Sequence, residues 1–156
     1  MPKAGAVIED ERACERPGLD EMRILVVDDS RALRELFARL LRSAGAAVAE
    51  ADTARRALEL ASGADFDAVL SDLGLPDMGG HLLIERLLAM TPHLYVVVIS
   101  GGETAELDRA RAAGARVVFR KPVEWDQVMT TLREAGRTGG RDPARSALTP
   151  PSEATA

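Results

Sequence analysis

Residues 24–45 read ILVVDDSRALRELFARLLRSAG, and this stretch holds one complete strand–helix unit. It opens on a short unbroken apolar run, 24–27, of the kind that suits a strand buried on both faces. Asp28, Asp29 and Ser30 follow it. Leu33, Leu36, Phe37, Leu40 and Leu41 then recur at helical spacing, and Gly45 supplies the stop.

The same alternation continues downstream. Apolar runs lie at 68–70, 96–99 and 117–119, with a weaker one at 46–49. Helical stripes separate them: Ala54, Ala57, Leu58 and Ala61 ahead of Gly63, then Leu83, Ile84, Leu87 and Leu88 ahead of Pro92. Residues 103–113 are Ala-rich and weakly amphipathic, with Gly114 after them, and Trp125, Val128, Met129 and Leu132 form the last stripe. Five strands alternating with five helices predict an α/β fold, a parallel sheet covered by helices on both faces. Its crossovers should be right-handed. The pattern occupies 22–136. Residues 1–21 and 137–156 lack periodicity and read as disordered tails.

Composition narrows the function classes. The chain has 156 residues, 46% apolar and 29% charged, which suits one soluble domain with tails. Aromatics make up 3%, so the core must be built from Leu, Val, Ile and Ala. A net charge of −5 without a basic stripe argues against nucleic-acid binding, which depends on Lys and Arg neutralising phosphates. The single cysteine, Cys14, excludes an internal disulfide and a multi-cysteine metal site. The amino-terminal segment has no apolar signal core, and the apolar runs are too short to span a membrane. A cytoplasmic location is the resulting expectation.

In open α/β sheets the ligand site lies beyond the carboxyl ends of the strands. Asp28 and Asp29 follow the first predicted strand and Asp72 the third. Ser100 follows the fourth, ahead of Gly101 and Gly102, and Lys121 follows the fifth, ahead of Pro122. Three carboxylates, a hydroxyl and an amine are thus expected at one edge. Clustered carboxylates repel, so raised pKa values or a cation must offset the cost. Hard oxygen ligands suit Mg²⁺. A carboxylate beside a divalent cation, an ammonium and a hydroxyl is equipped to take up a phosphoryl group.

The strings ILVVDDS (24–30), VLSDLGLPDMGG (69–80), VVVISGG (96–102) and FRKP (119–122) resemble the signature segments of response-regulator receiver domains. The resemblance covers 22–136. It implies a doubly wound, flavodoxin-like (CheY-like) five-stranded parallel sheet of strand order 2-1-3-4-5. It implies that Asp72 is the phosphoacceptor, and that Asp28 and Asp29 are the acidic pair holding Mg²⁺, with Asp29 favoured as the direct ligand. Asp72 and the backbone carbonyl of Gly74 complete that metal set. Ser100 matches the hydroxyl that bonds the phosphoryl group and turns inward on activation, and Lys121 the lysine that pairs with the acyl phosphate. The Lys121–Pro122 bond is expected to be cis, which X–Pro bonds tolerate.

The implied partners are a sensor histidine kinase or a histidine phosphotransfer protein upstream, and a downstream protein. The downstream face would be built from the fourth helix, fifth strand and fifth helix. The chain would be a monomer or a phosphorylation-dependent dimer, away from nucleic acid and membrane. It would catalyse its own phosphorylation and dephosphorylation without being an enzyme in the ordinary sense. A stand-alone receiver is expected, with a piece of a longer hybrid kinase or regulator as the alternative. One position departs from the pattern. The family often has an aromatic residue three positions before the lysine; here that residue is Val118, with Phe119 beside it. Signal is expected to pass through backbone and helix shifts instead, which a mobile Ser100–Gly101–Gly102 loop permits.

Each segment alone has a plainer reading. Asp28 and Asp29 would suit a helix N-terminus with Ser30 as cap. Asp72 would suit a turn, Ser100 a strand-to-helix connection, and Lys121 a solvated surface. An aspartyl-nucleophile phosphohydrolase would carry a second aspartate where Gly74 stands, and no cap-domain insertion is visible. The turn at 28–30 lacks the glycine spacing of a nucleotide loop. An inactive interaction module is favoured by Val118 and opposed by the intact acidic set. His81 and His93 are expected at the surface, Trp125 in packing, and Cys14 without a role.

Overall fold

The computed structural model describes residues 19–138, with side chains to 136; Cys14 and both expected tails beyond these limits lie outside the described residues. Five strands alternate with five helices: β1 Arg23–Val27, α1 Arg31–Ser43, β2 Ala47–Ala51, α2 Ala54–Gly63, β3 Ala68–Ser71, α3 Gly80–Met90, β4 Tyr95–Ser100, α4 Thr104–Ala113, β5 Val117–Arg120 and α5 Trp125–Thr138. The strands form one parallel sheet in the order β2-β1-β3-β4-β5, as expected.

Alternation along the strands fills two cores, one on each face. Ile24, Val26, Val97 and Ile99 join Phe37 and Leu41 of α1 and Val128 and Leu132 of α5. Leu25, Val27, Val96 and Val98 join Ala54 and Ala57 of α2, Leu83, Ile84 and Leu87 of α3, and Leu107 of α4. The period of two in strand side chains is the cause. Trp125 packs as expected, its ring stacked on Phe37 with centroids 5.6 Å apart.

Two details differ from the sequence reading. Leu36 belongs to the apolar stripe of the first helix, yet its side chain is 46% exposed. Phe37, Ala38 and Leu41 already fill the face turned to the sheet, so Leu36 is rotated off it. Leu19 lies within the expected amino-terminal tail, but its side chain is fully buried and its carbonyl accepts the Met22 N–H at 3.0 Å. A polar neighbourhood hid one core residue. No helix among the described residues is long and apolar enough to cross a membrane.

Candidate functional site

The sheet ladder runs one residue past the strands, and that extension assembles the site. Asp28 N–H donates to the Ala51 carbonyl at 3.1 Å, Asp72 N–H to Val27 at 2.9 Å, and Lys121 N–H to Ser100 at 3.0 Å. Residues 28, 72 and 121 therefore leave the sheet at the same edge, from strands far apart in sequence.

Carboxylate oxygens of Asp28, Asp29 and Asp72 lie within 4.8 Å of one another. The Lys121 ammonium stands 3.4 Å from Asp72 Oδ2 and 3.8 Å from Asp28 Oδ2. Asp72 Oδ1 accepts the N–H groups of Leu73 (2.7 Å) and Gly74 (3.3 Å), which fixes the carboxylate plane and leaves Oδ2 toward the lysine. Asp28 Oδ1 accepts the Ser30 N–H at 2.8 Å, while the Ser30 hydroxyl caps α1 at Leu33 N. Ser30 is thus the cap that the plainer reading supposed, and Asp28 belongs to the carboxylate cluster as well.

Asp28 is only 3% exposed. Burial pushes its carboxyl above the usual range; the Ser30 N–H opposes this, the Asp72 charge adds to it, Lys121 opposes it, and Asp29 adds to it. Three acids against one ammonium leave two negative charges uncompensated when all are ionised. A small divalent cation with a preference for oxygen fits both the charge and the donor set.

Ser100 is buried at the end of β4, and its Oγ accepts the Gly102 N–H at 3.1 Å. The glycine loop expected to be mobile is fastened on both sides, because the Gly102 carbonyl also accepts from Arg120 Nη1 at 2.9 Å. The Lys121–Pro122 bond is cis. Val118 packs against the core under α2, α3 and α4, while Phe119 packs against the core under α1 and α5. Strand alternation thus prevents the phenylalanine from replacing an aromatic at 118. His93 is exposed; His81 is half-buried, with its ring beside Gly79.

Three residues near the site carried no signal that the sequence reading used. Asp77 reaches across to α2 and accepts the N–H groups of Ala54 and Arg55, each at 2.9 Å. These bonds hold its carboxyl below the usual range. Gly80 lets α3 approach the Asp72 loop: a Cβ there would stand 2.5 Å from Leu73 Cα. Arg120 is the third. A glycine pair beside an aspartate hints at a tight turn, but contacts 22 to 23 residues apart have no local signature.

Residues 24–133 match the family model described as the response regulator receiver domain. A response regulator receiver protein of Anaeromyxobacter sp. is 37% identical over 108 residues, which cover 69% of this chain and 45% of the relative. The sensory/regulatory protein RpfC of Xanthomonas campestris pv. campestris is 36% identical over 124 residues, covering 76% of this chain and 17% of the relative. The chain thus spans less than half the length of either relative. Among solved structures, a CheY-like response regulator receiver domain protein from Methanospirillum hungatei superposes with a TM-score of 0.72 at 28% identity, covering 74% of this chain and 94% of that one.

Proposed function

The chain belongs to the response regulator receiver family, and from that premise we propose that Asp72 accepts a phosphoryl group from a phosphohistidine donor and that the adduct switches the conformation of this domain. The observation that carries this reading is the convergence of Asp72 with Asp28, Asp29 and the Lys121 ammonium. An Asp72 carboxylate oxygen forms the new P–O bond. The donor's P–N bond breaks, and its electron pair stays with the imidazole nitrogen. Hydrolysis by water later releases inorganic phosphate and restores the carboxylate.

Lys121 moves from pairing with the carboxylate to pairing with a phosphoryl oxygen, and already stands 3.4 Å from Asp72 Oδ2. Ser100 turns its hydroxyl proton to a second phosphoryl oxygen. The Leu73 and Gly74 N–H groups keep the nucleophile oriented throughout. Asp28, Asp29 and Asp72, with the Gly74 carbonyl, would hold Mg²⁺, whose charge neutralises the phosphoryl oxygens. We place the upstream donor as a sensor histidine kinase or histidine phosphotransfer protein; matched relatives include a sensor histidine kinase of Escherichia coli. The downstream partner binds the face of α4, β5 and α5, in the cytoplasm, and the chain is a monomer or a phosphorylation-dependent dimer.

The test is intact-mass measurement after incubation with a small acyl phosphate, with and without Mg²⁺, beside Asp72→Asn. A Mg²⁺-dependent single phosphoryl adduct, absent in Asp72→Asn, is the expected result. Val118 favours one competing reading, an inactive interaction module. No adduct, together with no Mg²⁺ response of Trp125 fluorescence, would make that module the better account.

A further inference from the structure

We propose that Arg120 is the positioning residue through which a phosphoryl group on Asp72 acts on α4. The inference rests on the phosphoacceptor reading above. Arg120 pairs in register with Ser100 across β4 and β5 and directly precedes Lys121. Its guanidinium donates to the Gly102 carbonyl at 2.9 Å and to Thr104 Oγ1 at 3.1 Å. Thr104 opens α4, and the preceding cap residue, Glu103, makes no side-chain capping bond. Arg120, which only donates, leaves the free N–H groups of that turn as they are and instead ties the loop carbonyl and the Thr104 hydroxyl to β5.

Gly102 is consequently gripped twice. The site hydroxyl of Ser100 holds its N–H, and Arg120 holds its carbonyl. Turning Ser100 toward a phosphoryl oxygen shifts the acceptor of the Gly102 N–H. Drawing Lys121 the same way shifts the neighbour of Arg120. Both displacements converge on one peptide segment, and Thr104 passes them to the first turn of α4. Val118 has no polar group with which to do this, and it packs into the core under that helix. The tie is also built to yield. A guanidinium beside a helix N-terminus is opposed by the helix dipole, and Arg120 is exposed, so water competes for its donors. A weak tie between two well-anchored elements is what a small shift can reset.

The experiment is hydrogen–deuterium exchange on the full chain with a small acyl phosphate and Mg²⁺, with the phosphoryl adduct read by intact mass in the same samples. Wild type, Arg120→Ala, Arg120→Lys and Thr104→Val are compared. In the wild type, adduct formation should change exchange over residues 102–107 by about fivefold, the worth of one net hydrogen bond. Arg120→Ala should form the adduct to the same extent, exchange about fivefold faster there beforehand, and show no further response. Arg120→Lys, with one donor head for two acceptors, and Thr104→Val should each keep roughly half of the response.

A wild-type adduct with no change over 102–107 overturns the inference and leaves the phosphoacceptor reading standing. So does an Arg120→Ala response equal to the wild type. Loss of the adduct in Arg120→Ala would place that residue in the chemistry and overturn its positioning role. If Arg120→Ala fails to fold, an undiminished response in Thr104→Val sinks the proposal. No adduct in the wild type removes the phosphoacceptor reading, and this inference with it.

Discussion

Two buried aspartates stand at opposite ends of the same sheet. At the amino end, Asp67 is 5% exposed, and its Oδ2 accepts the Arg23 N–H at 2.8 Å. Its own N–H donates to the Arg23 carbonyl, and its carbonyl accepts from Tyr95, so it ties β1, β3 and β4 together. At the carboxyl end, Asp28 is 3% exposed and has two further carboxylates and an ammonium for company. Burial alone therefore does not mark a site. Asp67 contributes to the fold by satisfying a backbone donor. Ionised Asp28, buried beside two other acids, works against the fold, and the Ser30 N–H and the Lys121 ammonium offset only part of that.

The largest effect expected from breaking this contrast is at the amino end. Asp67→Ala leaves the part-buried Arg23 N–H without its carboxylate partner and should lower stability by about 2 kcal/mol, the range for a hydrogen bond to a charged group. Chemical denaturation measures this, and phosphoryl uptake by the folded fraction should be unchanged. A loss of uptake there would erase the distinction between the two ends.

Asp28→Asn should act in the opposite sense, raising stability at neutral pH by about 1 kcal/mol while weakening Mg²⁺ binding at least about tenfold. The Ser30 N–H keeps an amide oxygen to donate to. Because the folded carboxyl titrates above the unfolded one, the penalty in the wild type sets in as pH rises through that interval and is complete above it. The advantage of Asp28→Asn should therefore be present at pH 7 and vanish below about pH 4, near the unfolded value. Denaturation midpoints at several pH values, without Mg²⁺, check the sign.

Lys121→Gln sharpens the comparison further by removing the ammonium that faces two of the acids. A loss of about 0.5 kcal/mol at pH 7 without Mg²⁺, largely restored by Mg²⁺, is the expected result, since the lysine is partly solvated. Thermal melts with and without the ion would show it. Asp77→Asn should produce the smallest change, a slight drop in Tm from losing one of two backbone bonds at the start of α2. Its carboxyl titrates below the usual range, so its contribution is present above the unfolded pKa and lost as pH falls through the folded one. A Tm difference that survives unchanged at low pH would contradict this account.

The strands were legible where apolar residues run unbroken, as at Val96, Val97, Val98 and Ile99, because burial on both faces leaves no room for polar side chains. The edge strand β2 was legible only in part. It extends to Glu50 and Ala51, and Glu50 faces Arg34 and Arg42 at the surface. An edge strand needs no continuous apolar run, so its pattern stops short of its hydrogen bonds. The candidate site residues were legible as a group because strand ends can be read from local pattern, and the sheet turns those ends to one side. Arg120 and Asp77 were not, since each bonds to groups 16 to 23 residues away.

The sequence by itself determined the alternation of elements, the parallel sheet and the set of acids, hydroxyl and amine at its carboxyl edge. These follow from side-chain period and strand burial, which are local properties. Only the tertiary structure decided that Asp28 is buried and Asp29 exposed, that Lys121 stands between two acids, that Phe119 turns away from the face of Val118, and that Arg120 grips the loop after Ser100. Those outcomes depend on which backbone groups different segments leave unpaired once packed, and no single segment carries that information.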